Sequence, residues 1–243
     1  MIYTKNAYVS GSMCDSSLKL SILAADEIVE NSVTELMGNL GIDGIVAKEK
    51  YNAMWLLAKN NICFLRRPSW REEFVIKCYI SKYSAVRLNI DTTVQSLSGE
   101  LLVKARTELA AIDLETGRIR KAETVGFREE MAHPTENEGM DFSRFPQTDY
   151  ENIEKVTIRS TSIDYCFHTN NIEYVRFVLN TYDMEFLKTH EPLQIEIHYA
   201  SQSFEGEKID ISKLSSDSSD YFSIRRDGNE ITSFKFAWTE KTS

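Results

Sequence analysis

Ile163-Asp164-Tyr165-Cys166-Phe167-His168-Thr169-Asn170-Asn171-Ile172-Glu173-Tyr174 sets Asp, Cys, His and two Asn within eight residues. A β-type run, 156–162, precedes it and an amphipathic run, 171–182, follows it. The polar groups therefore fall where a strand gives way to a helix, a place with free backbone N–H groups and the positive end of the helix dipole. Asp164, Cys166 and His168 alternate, and in extended chain alternate side chains share one side. That arrangement would hold a carboxylate, a thiol and an imidazole together. The plainer reading is also open, since Asp and Asn are ordinary helix N-caps. Cys166 reads first as a small buried residue and second as a nucleophile activated by the histidine and the helix start.

The rest of the chain sets bounds on this reading. Its 243 residues suffice for one large domain or two small ones. Apolar residues make up 42% and charged residues 27%, the balance of a globular protein. No apolar run reaches the ~18 residues of a membrane helix. Residues 1–6 lack a basic segment followed by an apolar core, so a cytoplasmic location is expected. The four cysteines and four histidines show no zinc spacing. Reduced thiols, no metal and no cofactor are the expectation. A net charge of -9 argues against nucleic-acid binding.

Outward from the quoted stretch, the same order of elements occurs twice. Residues 3–12 read as a strand. Asp15-Ser16-Ser17 reads as an N-cap for a helix over 18–37, with Gly38 as its stop. Strands are expected over 51–64, whose first half suits a short helix equally well, and over 73–81, 85–96 and 101–113. Residues 131–150, with Pro134, Gly139 and Pro146, read as a linker. A strand over 156–163 and one helix over 171–187 come next. Strands follow over 193–203, 208–214, 221–226 and 230–238, separated by turns at 205–207, 215–220 and 227–229. The expected division is an N-terminal domain over 1–130, a linker over 131–150 and a C-terminal domain over 151–243.

A helix wrapped by an antiparallel sheet, twice in one chain, resembles a tandem hotdog fold of the α+β class. Asp164-x-Cys166-x-His168-Thr169-Asn170-Asn171-x-x-Tyr174 then resembles the Asp-x-Asn-x-His-Val-Asn-Asn-x-x-Tyr motif of the acyl-acyl-carrier-protein thioesterases. Trp55, Arg67-Pro68-Ser69-Trp70 and Asp113-x-x-Thr116-Gly117-Arg118 are similar to that family's N-terminal domain. The resemblance implies a bacterial member related to the plant fatty acyl-ACP thioesterases. Two positions depart from the pattern. The family's Asn is Cys166 here, and its Glu, 34 residues after the His, is Gln202, followed by Ser203.

The resemblance implies hydrolysis of fatty acyl-ACP thioesters to free fatty acid and carrier thiol, ending chain elongation in fatty acid biosynthesis. His168 is then the expected base, Asp164 its orienting group and Gln202 a water-positioning residue. Cys166 is the alternative nucleophile, and Asn170 and Asn171 are the oxyanion and substrate-positioning residues. The expected partner is acyl carrier protein, received electrostatically at Arg66-Arg67-Pro68-Ser69-Trp70-Arg71 or at Arg118-Ile119-Arg120-Lys121. The expected assembly is a monomer or a homodimer, without nucleic acid or a membrane span. An acyl-CoA thioesterase, a non-catalytic acyl-binding protein that has lost the base and a hotdog hydratase or dehydratase are the competing readings.

Overall fold

A computed structural model describes residues 1–133, 140–216 and 219–241. Pro134 and Gly139 of the expected linker, and Asp217 and Ser218 of an expected turn, lie outside the described residues. The chain divides into two compact units, Met1–Phe142 and Ser143–Ser243.

The first unit runs β1 (Tyr3–Tyr8), α1 (Ile22–Asn39), α2 (Gly44–Tyr51), β2 (Ala53–Phe64), β3 (Glu73–Tyr83), β4 (Leu88–Ser96), β5 (Leu101–Asp113) and β6 (Ile119–Arg120). Its strands lie in the order β1-β3-β4-β5-β2, with β6 beside β5, and the pairs are antiparallel. Alternation drives the pairing: β3 buries Phe74, Ile76, Cys78 and Ile80 on one face. Val33, Leu36 and Met37 of α1 pack with Cys78, Ile80, Leu88, Ile90 and Leu109 of the sheet. This is the helix-on-sheet layer that the length and apolar stripe of α1 require.

Four local expectations are corrected. The strand expected over 3–12 stops at Tyr8. The N-cap of α1 is Ser21, whose Oγ accepts from the Ala24 N–H at 3.1 Å, and Asp15 serves a turn instead. Gly38 lies inside the helix; Gly41, at φ +68°, makes the exit, a conformation open to glycine without strain. Residues 53–64 are strand throughout, and the short helix lies before them, capped by Asp43. A buried ion pair crosses the sheet. Arg106 and Asp91 face each other on β5 and β4 and share two hydrogen bonds, 2.8 and 3.0 Å.

The second unit runs β7 (Glu151–Thr157), α3 (Asn171–Leu179), α4 (Met184–Thr189), β8 (His190–Tyr199), β9 (Lys208–Ser215), β10 (Ser219–Arg226) and β11 (Asn229–Glu240). Its sheet order is β8-β11-β10-β9-β7, again antiparallel. The helix expected over 171–187 is two helices. Asp183 caps the second through the Phe186 N–H at 2.7 Å. Between them, Tyr182 turns into the core among Phe186, Phe222, Phe236 and Trp238. Its hydroxyl donates to Asp220 at 2.7 Å and accepts from the Trp238 indole at 3.1 Å. A continuous helix would forgo that buried aromatic cluster. Among the described residues no helix is long and apolar enough to cross a membrane.

One buried carboxylate in α1 makes stability depend on pH. Asp26 is fully buried and accepts one hydrogen bond, from Asn60 at 2.8 Å. Its other oxygen has no partner among the described residues. Burial pushes the carboxyl from its ordinary 3.8 up to about 7, outweighing the Asn60 hydrogen bond. Between those values the folded chain holds a proton that the unfolded chain has lost, so stability falls as pH rises through that window and then levels. Asp26→Asn is expected to match the native protein in denaturant unfolding at pH 4. At pH 8 it should exceed it by roughly 2–4 kcal/mol.

Candidate active site

The chain between β7 and α3 is a closed loop and not the extended strand expected there. β7 ends at Thr157. Ile163 and Thr169 form an isolated bridge, the Asp164 N–H donates to the His168 carbonyl at 3.0 Å, and the Phe167 N–H donates to the Asp164 carbonyl at 3.0 Å. Phe167 sits in the left-handed region at φ +65°. The loop still gathers the three side chains whose grouping was inferred from alternation. The carboxylate of Asp164, the sulfur of Cys166 and a ring nitrogen of His168 lie within 4.8 Å of one another.

Each group has a defined setting. Asp164 Oδ1 accepts from the Cys166 N–H at 2.8 Å, which fixes the carboxylate. Its Oδ2 lies 3.8 Å from His168 Nδ1, too far for a hydrogen bond. Nδ1 lies 3.1 Å from the Thr169 carbonyl, an oxygen that can only accept. In the neutral ring the proton therefore sits on Nδ1, and Nε2 keeps its lone pair. Asp164 and His168 are partly exposed, while Cys166 is exposed between Tyr165 and Phe167, themselves 87% and 82% exposed. The first reading of Cys166, a small buried residue, is thus corrected: the tight loop turns the thiol outward.

Asn170 is the N-cap of α3, its Oδ1 accepting from the Ile172 N–H at 3.0 Å. The Thr169 N–H donates to Ser203 and the Asn170 N–H to Ser162. Of the amides at this helix start, Asn171's is the one without an assigned acceptor among the described residues. Gln202 reaches the loop through its neighbour. The Ser203 carbonyl accepts from both the N–H and the Oγ1 of Thr169, at 2.8 and 3.0 Å. The Ser203 Oγ lies 2.8 Å from Thr169 Oγ1 and 2.7 Å from the Tyr174 hydroxyl. Gln202 is the next residue along, its own carbonyl held by Arg226 at 3.1 Å.

The first unit contains the same loop. Cys14 bridges Leu20, the Asp15 N–H donates to the Lys19 carbonyl, and Leu18 is left-handed at φ +57°. Asp15 Oδ1 accepts from the Ser17 N–H at 2.8 Å, and Ser21 caps the helix that follows. Asp15, Ser17, Lys19 and Ser21 thus stand where Asp164, Cys166, His168 and Asn170 stand. The Leu20 N–H donates to the Pro68 carbonyl as that of Thr169 does to Ser203, so Arg67 matches Gln202. Arg67 reaches back to pair with Asp15. Of the loop positions named, only the Asp is common to both copies, so residue-by-residue comparison of the halves could not reveal that this loop repeats. The N-cap reading of 15–17 was its one visible trace.

Two further findings bear on the expected residues. Arg66 is held by Glu72 and Glu100, at 2.7 and 2.9 Å, and Arg67 is buried in its pair with Asp15. The run 66–71 is therefore not the open basic surface expected. Sequence reading also missed a buried network in the second unit. Glu196 accepts from the Ser143 N–H and Oγ, both at 2.7 Å, and from His198 at 2.8 Å. Phe145 stacks on that imidazole at 4.2 Å. Burial would raise the Glu196 carboxyl, but the hydrogen bonds from His198 and Ser143 outweigh it and hold it below its usual value. The alternation Glu196-x-His198 on one strand was the available signal.

The hub at Ser203 yields a stability prediction. The Ser203 N–H donates to the Tyr174 hydroxyl at 3.1 Å, out of contact with water. Tyr174→Phe leaves that amide unsatisfied, so denaturant unfolding should show a loss of about 1–3 kcal/mol. A loss within error of zero would mean that the hydroxyl does not hold the loop.

Comparison with known proteins agrees with the motif. Residues 146–240 match the family described as Acyl-ACP thioesterase C-terminal domain. Acyl-[acyl-carrier-protein] hydrolase FATB1 of Cuphea viscosissima is 23% identical over 159 residues, 62% of this chain and 38% of that protein. FATB2 of the same plant is 21% identical over 206 residues, 81% and 50%. The chain spans about half or less of the length of these relatives. An acyl-ACP thioesterase from Bacteroides thetaiotaomicron superposes with a TM-score of 0.90 at 18% identity, over 98% of both chains. The 12:0-ACP thioesterase from Umbellularia californica gives 0.85 at 18%, over 99% of this chain and 98% of that one. Residues 146–240 thus match the acyl-ACP thioesterase C-terminal domain, and the chain resembles the acyl-ACP thioesterases in sequence and shares their tandem hotdog fold.

Proposed function

We propose that this chain hydrolyses fatty acyl thioesters carried on acyl carrier protein, releasing the free fatty acid and the carrier thiol. The observation that carries the reading is the loop 164–168, which holds an imidazole with an open Nε2 beside a fixed carboxylate at the head of α3. His168 Nε2 takes a proton from water as the water oxygen bonds to the thioester carbonyl carbon. The carbon–sulfur bond then breaks, and the imidazolium returns the proton to the departing thiolate. Asp164 stabilises the imidazolium across the 3.8 Å gap and holds the loop through the Cys166 N–H. The Asn171 N–H, at the positive end of α3, is the donor for the developing oxyanion. Asn170 acts one step back, by capping that helix. Gln202 positions the water but cannot accept its proton.

The first unit supports this assignment by contrast. Its loop has the same backbone, but Lys19 replaces the imidazole and Arg67 neutralises Asp15. That loop therefore holds no imidazole. The carrier partner fits the remaining basic run, where Arg118 and Lys121 are exposed.

One observation favours a second chemistry at the same site. The exposed Cys166 thiol would pass its proton to His168 and attack the thioester carbonyl. The substrate carbon–sulfur bond breaks, the carrier thiolate takes that proton and leaves as the thiol, and water then cleaves the new acyl–Cys166 thioester to fatty acid and free Cys166. Release of free thiol from acyl-carrier-protein and acyl-CoA substrates tests both. His168→Ala should lower kcat by about 10²-fold or more; unchanged turnover would sink the assignment. Cys166→Ala should keep most of the rate if water is the nucleophile, whereas an acylated Cys166 found by mass spectrometry after quenching would establish the covalent route. Gln202→Glu supplies a carboxylate base and should raise kcat by about tenfold. An acyl chain bound without turnover on any substrate would favour the non-catalytic reading.

A further inference from the structure

The loop 164–168 brings together three ligand types that suit one metal. A carboxylate oxygen, a thiolate sulfur and an imidazole nitrogen are the donors that zinc takes. Two such atoms, each about 2.1 Å from a tetrahedral zinc, lie about 3.4 Å apart. Asp164 Oδ2 and His168 Nδ1 are 3.8 Å apart, and all three donor atoms fall within 4.8 Å; ligation through Nδ1 moves the ring proton to Nε2 and gives up the hydrogen bond to the Thr169 carbonyl. A contraction of about an ångström within one loop would complete the set.

We propose that Asp164, Cys166 and His168 form a site for a thiophilic divalent cation, zinc in the first place, and that its occupancy switches hydrolysis off. Three features of the structure support this. The backbone that gathers the ligands also exists in the first unit, where Ser17 and Lys19 occupy the equivalent positions. The loop shape is therefore a property of the fold and is formed before any ion binds, which lowers the entropic cost of binding. Asp164 is already oriented by the Cys166 N–H on Oδ1, leaving Oδ2 toward the histidine. Cys166 is exposed, so an ion arriving from water reaches the sulfur, and three protein ligands leave a coordination position for solvent.

The inhibitory consequence rests on the hydrolase reading. A neutral imidazole that ligates through one nitrogen carries its proton on the other. Whichever nitrogen of His168 binds, the ring can no longer accept a proton from water. The Cys166 thiol gives its proton to solvent on binding, so uptake strengthens as pH rises. The substitution that separates this chain from the family pattern at position 166 thus adds a regulatory ligand to a catalytic loop.

Cobalt titration decides the matter without reference to activity. Apo protein titrated with Co²⁺ should develop a thiolate-to-cobalt charge-transfer band that saturates at one ion per chain and is displaced by Zn²⁺. Cys166→Ser and His168→Ala should each weaken uptake by at least about tenfold and remove or shift the band. Cys14→Ser should leave the band unchanged, and circular dichroism checks that each variant is folded. No band in the folded native protein, or a band that survives Cys166→Ser, overturns the site. With an acyl thioester substrate, one equivalent of Zn²⁺ should abolish turnover of the native protein and a chelator should restore it. Turnover untouched by saturating zinc overturns the switch. A chain that hydrolyses no thioester would remove the proposed function, yet leave the cobalt spectrum to decide the site.

Discussion

The site depends on the buried hydroxyl and backbone of Ser203. Its carbonyl takes both the N–H and the Oγ1 of Thr169, its Oγ lies between Thr169 and Tyr174, and its N–H finds the Tyr174 hydroxyl. Thr169, Tyr174 and Ser203 are all buried. Each of these bonds adds only about 1 kcal/mol net, but each group left unpaired there would cost about 1–3 kcal/mol. The network therefore acts mainly by excluding alternatives. It ties the loop holding His168, the first turn of α3 and the segment holding Gln202 into one arrangement. Ser203, the neighbour of Gln202, thus uses its hydroxyl for support.

The same loop serves two ends in the two units. Its shape comes from backbone constraints: a left-handed residue (Leu18 or Phe167), an Asp accepting the N–H two residues on, and a helix cap (Ser21 or Asn170). These backbone constraints recur with different side chains at 17, 19 and 67 and at 166, 168 and 202, although Ser17 Oγ and Arg67 also bind Asp15. In the first unit those positions became Ser, Lys and Arg, and an ion pair consumes the aspartate. In the second they became Cys, His and Gln, which leaves the imidazole lone pair open. Chemistry was thus separated from scaffold within one repeat.

Buried polar groups outside the site follow the same economy. The Asp91–Arg106 pair is bidentate and sits in a register where the two residues face each other, so neither charge is left alone. Asp26 lacks such a counter-charge and shifts its proton affinity instead.

The larger plan is legible in the residues alone: two runs of helix and antiparallel strands, the motif from Asp164 to Tyr174, and the grouping of Asp164, Cys166 and His168. These were legible because hydrophobic alternation, turn glycines and motif spacing are local signals. What was not legible depended on distant partners. Tyr182 broke the expected helix because aromatic residues from β10 and β11 gather round it. Arg66 and Arg67 lost their expected openness because Glu72, Glu100 and Asp15 lie within reach. The exposure of Cys166 and the open Nε2 of His168 followed from loop closure, and the repeat of that loop is carried by hydrogen bonds that no residue identity announces. Folding settles these features, because burial and pairing involve residues far apart in the chain, where periodicity carries no information.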